Sequence, residues 1–413
     1  MKIAVIGSGI SGLACAYHLA QRHNVTLFES EPRLGGHAHT VEVDIRGATH
    51  AVDTGFIVYN EKTYPDFTRL LAELGVVTRP AEMSFGLACE RTGLEWSSRG
   101  LRGLFATPRI ALRPPFLRMV SEILRFAREA PGLASDYDTK TTLRELVNEG
   151  GYSAEFRDGY LVPMGAAIWS AGTEDLLEMP AASFARFFEN HGLLGRGGRV
   201  QWRTIVGGSR IYVDALARRF PGRVALSTPV FGVTPTPRGV EVHTAEGAAP
   251  FDRVVLAVHA DTALSLLTAP TLAERRVLGA IRYSRNETIL HTDASLLPRR
   301  PAARASWNSI VPSAPSERAL VTYDLSRLQS IRSAEPLLVT LNGTSRISPD
   351  RILARFDYDH PILDAGAIDA QREHTQIDGD GGIHFCGAYW RWGFHEDGLQ
   401  SAMRVVRAIE ANV

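Results

Sequence analysis

Two groups of residues in this 413-residue sequence are typed and spaced for chemistry. In the first, Gly7, Gly9 and Gly12 are followed by Glu29, twenty residues after Gly9. Glycines at that spacing let backbone approach a pyrophosphate, and a carboxylate at that remove accepts hydrogen bonds from ribose hydroxyls. An acid there disfavours a 2′-phosphate. In the second, "GFHEDGLQSAM" (393–403) sets His395, Glu396 and Asp397 between two glycines and then turns apolar at helical spacing. An imidazole beside carboxylates can take up a proton, and the free N–H groups of a helix mouth attract negative charge.

The elements that would hold these residues are legible. "IAVIG" reads as a strand, "LACAYHLAQR" as a helix and "NVTLFE" as a second strand. Strand, glycine turn, helix and acid together make the full dinucleotide fingerprint, with the phosphates at the helix N-terminus. Ser11, inside the turn, is counted with the glycines as a cofactor contact. From Gly207 to Val258 a helix is followed by alternating strands, with turns at "PTPRG" and "AEGAAP", and then by the buried run "RVVLAV". "GGIHFCGAYWRWGFHEDGLQSAMRVVRAI" reads as strand, aromatic turn and helix.

Composition bounds the rest. The chain is 45% hydrophobic, and its 45 basic residues balance 45 acidic ones. It can bury a large core in two or three domains and carries no nucleic-acid footprint. Cys15, Cys89 and Cys386 lie far apart and read as reduced thiols of a cytoplasmic protein. The opening strand leaves no room for a signal peptide, and no apolar run is long enough to span a membrane. No metal set is expected, because His37 and His39 lack a third ligand at structural spacing.

"EPRLGGHAHT" (31–40) and "DTGFIVYN" (53–60) distinguish FAD from a nicotinamide. Here the sequence resembles the flavin-containing amine oxidase and desaturase superfamily, in which a Gly-Gly loop after the ribose-binding acid lies along pyrophosphate and flavin. Arg33, Gly35, Gly36 and His37 match that loop, with His37 where amine oxidases usually carry arginine. The resemblance implies non-covalent FAD, with Val230 at the adenine and Gly387 of "FCGAYW" in the closing part of the site. It places the last helix at the flavin pyrimidine, with Gly398 allowing close approach, Leu399 supplying an N–H and Asp397 capping. Tyr59, Tyr389, Trp390 and Trp392 are candidates for an aromatic wall, and His395, Glu396 and Tyr59 for the proton acceptor.

"AAIWSA", "SWN", "VTYDLSRLQSI" and "DYDHPIL" add a similarity to predicted FAD-dependent oxidoreductases that accompany cyclopropane-fatty-acyl synthases and related lipid methyltransferases. The implied fold is α/β. A discontinuous Rossmann-type FAD domain (1–75, 200–275, 371–413) carries an α+β substrate domain (76–199, 276–370). The implied activity is dehydrogenation of an unsaturated or methyl-modified acyl chain. The alternatives are an amine oxidase, which an acid-rich cleft would favour, and a non-catalytic flavin subunit of a lipid methyltransferase. "FLRMVSEILRFAREA" (116–130) is read as an amphipathic helix with Phe116, Leu117, Val120, Ile123, Leu124 and Ala127 as its apolar stripe. Its flank of Arg99, Arg102, Arg109 and Arg113 is either a solvated face or a contact with anionic membrane.

Overall fold

The computed structural model describes residues 1–135, 140–194, 200–314 and 318–411. Its organising element is a five-stranded, wholly parallel sheet in the spatial order Arg223–Ala225, Asn24–Phe28, Lys2–Ile6, Arg253–Leu256, Ile383–Phe385. The inner strands are continuous apolar runs, as strands covered on both faces must be. Lys2–Ile6 pairs with Asn24–Phe28 on one side and with Arg253–Leu256 on the other, so the strand order reverses at the first strand. The crevice beyond the carboxyl ends of these strands is where such sheets bind ligands.

Helix Ile10–Leu19 covers the sheet. Gly12, Ala14, Cys15 and Ala16 are buried, and their small size lets the helix lie close to the strands. Helix His395–Glu410 packs against it through Leu399, Ala402, Val405, Val406 and Ile409, spaced three or four residues apart. A three-stranded antiparallel meander, Val230–Thr236, Gly239–Thr244 and Gly247–Phe251, matches the turn signals in the sequence.

A second, seven-stranded sheet runs Ile352–Pro361, Tyr283–His291, Leu338–Leu341, Val321–Asp324, Trp307–Val311, Phe85–Cys89, Glu95–Ser97. Its strands come from both inserted segments, joined where Phe85–Cys89 pairs in parallel with Trp307–Val311. Helices Pro114–Ser135, Val162–Trp169 and Ala181–Asn190 share a hydrophobic core with this sheet. A small sheet of Tyr59–Asn60, Trp202–Ile205 and Thr78–Pro80 ties residues on either side of the expected boundaries together.

Helix Pro114–Ser135 corrects the expected stripe. Its core face is Phe116, Met119, Phe126, Ala130 and Ala134, whereas Leu117 and Leu124 are exposed and Val120 and Ile123 are half-buried. The helix therefore has apolar residues on two faces, one turned into the core and one left for something else.

Candidate cofactor and substrate site

One cavity of about 1620 Å³ joins the carboxyl edge of the parallel sheet to the space beneath the seven-stranded sheet. That exceeds the roughly 300–1,000 Å³ of a single small-ligand pocket. It has room for a dinucleotide and a second molecule.

At the nucleotide end, Gly7 turns the chain with φ +97°, and a Cβ there would stand 2.6 Å from the Ala257 carbonyl oxygen. A Cβ at Gly12 would stand 1.8 Å from the Gly7 oxygen, so only glycine lets helix and turn meet. Gly9 differs. A Cβ there meets no atom within 4 Å and would project into open space, although Gly36 lies close behind its backbone. The Glu29 carboxylate accepts from the Ser8 N–H at 2.9 Å, the Ser8 hydroxyl at 2.5 Å and the Glu31 N–H at 2.9 Å. Arg33 donates to the Gly36 carbonyl at 2.9 Å, and the Gly35 N–H to the Ser8 carbonyl at 3.0 Å. The Gly-Gly loop is thus tied to the first glycine turn. Ser11, Val230 and Gly387 also line this cavity.

His37 lies in an aromatic cluster on the cavity wall. Its ring centroid is 5.0 Å from that of Tyr358, 5.6 Å from His360 and 6.1 Å from His259. Burial, followed by the neighbouring His360 and His259, holds its pKa well below the ordinary histidine range. It therefore offers a neutral ring where an arginine would offer a charge. Burial also lowers His360 to about 4, and it lowers His259, where Asp261 and Asp359 oppose the effect. His259 stacks on Tyr283 with centroids 4.5 Å apart. Sequence reasoning missed Ser8, His259 and Tyr283. For His259 a signal was available, since it follows "RVVLAV" at the carboxyl end of a parallel strand.

The closing motif divides. His395 lines the cavity, stacks on Phe56 with centroids 3.5 Å apart, and lies 3.0 Å from the Tyr212 hydroxyl through Nε2. Burial pushes its pKa down to about 3. Asp397 accepts from the Phe394 N–H at 3.0 Å, closing the helix end, and burial raises its pKa to about 7.

Several expected contacts are corrected. Glu396 turns from the cavity and accepts from the Asp66 and Phe67 N–H groups at 3.1 and 2.9 Å, capping helix Pro65–Leu74. Gly398 and Leu399 also lie off the cavity. A Cβ at Gly398 would stand 2.8 Å from Ser11 Oγ, so this glycine serves helix packing, and Leu399 is a core residue. Tyr59 packs against Phe67 and Tyr64 in the core. Of the proposed aromatic wall, Tyr389 and Trp392 line the cavity, whereas Trp390 is buried against His374.

The far end is a chamber walled by Tyr160, Met164, Ile168, Trp169, Phe187 and Tyr323. Glu82 and Asp357 also touch the cavity, but they are committed to ion pairs with Arg99 and Arg327 and with Arg285. Leu124, exposed yet part of the lining, marks the rim.

Comparison with known proteins agrees with this arrangement. Residues 10–300 match the family model described as flavin containing amine oxidoreductase. A carotenoid phi-ring synthase of Streptomyces griseus is 33% identical over 122 residues, a match that takes in 28% of this chain and 21% of that one. A redesigned putrescine oxidase superposes with a TM-score of 0.74 at 16% identity, over 100% of this chain and 99% of the other. A CLA-producing fatty acid isomerase from P. acnes does so with a TM-score of 0.70 at 15% identity, over 98% of each. At such identities the structural likenesses speak for the fold alone.

FAD fits the nucleotide end on this chain's own geometry. The open space over Gly9 is a cradle that any larger side chain would fill, and the Glu29 carboxylate stands at its side. Gly7, Gly9, Ser11, Glu29, Arg33, Gly36, Val230 and Gly387 are the residues that would hold it. With its fold, its nucleotide cradle and the family model in agreement, the chain belongs to the flavin-containing amine oxidoreductase family and is an FAD-dependent oxidoreductase.

Proposed function

We propose that this enzyme dehydrogenates the acyl chain of a lipid, the chain being unsaturated or methyl-modified. One observation carries the reading: the chamber that continues from the nucleotide end is walled by aromatic and aliphatic side chains and opens at a leucine rim. Such a chamber binds an alkyl chain by removing it from water, at about 25 cal/mol per Å² buried. It leaves a small, cationic amine without an uncommitted acid in the pocket's apolar half. Bound FAD supplies the two-electron acceptor.

The protein's contribution is to orient the chain, exclude water and take up a proton. Among the imidazoles on the wall, His259 suits that last task, because Asp261 and Asp359 offset the effect of burial on it. His395, at about 3, is a weak base. A lipid methyltransferase that makes or modifies the same chain is the partner this reading implies.

The test is anaerobic flavin bleaching with phospholipids and with primary amines in parallel. Bleaching by a phospholipid supports the reading. Faster bleaching by amines makes the enzyme an amine oxidase, and inertness to both with tight binding of a methyltransferase makes it an accessory subunit.

A further inference from the structure

Between Glu95 and Glu122 the sequence carries Arg99, Arg102, Arg109, Arg113 and Arg118 and no acid, although charges balance over the whole chain. This stretch folds as helices Gly100–Leu104 and Pro108–Ala111 and the opening turns of Pro114–Ser135. Arg99 and Arg118 have ion-pair partners in Glu82 and Glu122. Arg102, Arg109 and Arg113 are exposed and make no ion pair among the described residues.

Interleaved with them are Leu101, 75% exposed, Leu112, 73%, Leu117, 48%, and Leu124, 62%. Single exposed leucines are ordinary. A run of them alternating with unpaired guanidinium groups is the composition of an interfacial surface, apolar enough to enter an acyl boundary and basic enough to hold phosphates. Its position adds to this. Leu124, Arg99 and Gly100 are exposed and also line the cavity, so the surface surrounds a mouth of the chamber. No helix among the described residues is long and apolar enough to cross a membrane, so attachment would be peripheral.

We propose that this face docks on an anionic lipid bilayer. Leu101, Leu112 and Leu117 enter the acyl boundary, Arg102, Arg109 and Arg113 meet headgroup phosphates, and the mouth at Leu124 opens onto the lipid tails. The use of that mouth builds on the acyl-chain reading, while the docking rests on the surface alone. Charge complementarity selects anionic over neutral lipid, and added salt screens it.

Flotation of the FAD-loaded full chain with phosphatidylglycerol vesicles and with phosphatidylcholine vesicles tests the proposal. The wild type is expected to float with the anionic vesicles, to bind neutral ones far less, and to be released by salt. R102Q/R109Q/R113Q is expected to weaken partition roughly a hundredfold, and L101S/L112S/L117S by at least about tenfold. Both variants should retain FAD and the wild-type thermal transition, because the altered side chains lie on the surface. Absence of wild-type binding, equal binding to both vesicles, or unaltered binding in either variant overturns the proposal. Flavin bleaching by a dispersed short-chain phospholipid separates this from the proposed activity. Lost bleaching with normal flotation removes the activity alone, and lost flotation with normal bleaching removes the docking alone.

Discussion

The imidazole of His395 lies flat on the ring of Phe56, centroids 3.5 Å apart and planes 13° from parallel, in contact with the cavity that FAD and substrate share. A stacked, buried ring with a pKa near 3 is built to stay neutral. It shapes the wall without titrating near neutrality.

His395→Gln is therefore expected to leave flavin reduction within about tenfold of wild type, while His259→Gln lowers it roughly 10²-fold, as loss of a general base does. Stopped-flow reduction of FAD-loaded variants at saturating substrate makes the comparison. A hundredfold loss in His395→Gln with none in His259→Gln would return the proton acceptor to the last helix.

Gly9 and Gly12 should fail in different ways. Gly9→Val fills the open cradle and is expected to give folded, colourless protein with a near wild-type thermal transition. Gly12→Ala drives a Cβ to 1.8 Å from backbone and should lower stability by about 3 kcal/mol or more. Absorbance with thermal unfolding reads both, along with release of intact FAD on denaturing the wild type. Normal flavin content in Gly9→Val would remove the FAD assignment from this turn.

Glu396→Gln should act on stability. Its carboxylate caps helix Pro65–Leu74 through the Asp66 and Phe67 N–H groups, and a charged cap is worth about 1 kcal/mol. Chemical denaturation should show that loss with reduction rates unchanged. A rate loss at unchanged stability would contradict the capping role.

Asp397 predicts a pH dependence of definite sign. Its pKa is about 7 in the folded chain, raised by burial from an ordinary value of 3.8. The folded state then binds more protons than the unfolded state between those values, so this group's contribution to stability falls as pH rises through that window. Asp397→Asn retains an acceptor for the Phe394 N–H without the charge. The variant's stability relative to wild type should rise from pH 4 toward 7, measured by denaturant unfolding across that range. A flat or falling difference would show that Asp397 is ionised without cost.

The sequence by itself determined the nucleotide end. Gly7, Gly9, Gly12 and Glu29 belong to one strand–turn–helix–strand unit, where spacing along the chain sets spacing in space and each glycine answers a local steric demand. The meander from Val230 was legible for the same reason, its pairings being between neighbours in the chain. Tertiary structure decided which way side chains face. His395 and Glu396 are adjacent in sequence, but successive helical residues project about 100° apart, so one reaches the cavity and the other caps a different helix. Tyr59 sits beside cavity-lining Val58, yet its strand pairs with Trp202–Ile205 and its ring is drawn into the core around Phe67. Helix Pro114–Ser135 carries apolar residues on two faces, and periodicity cannot say which of them the core will take. The chamber itself, and the gathering of His37, His259 and His360 on its wall, required segments more than 200 residues apart to meet, because the parallel sheet brings its strand ends to one edge only when the whole chain has folded.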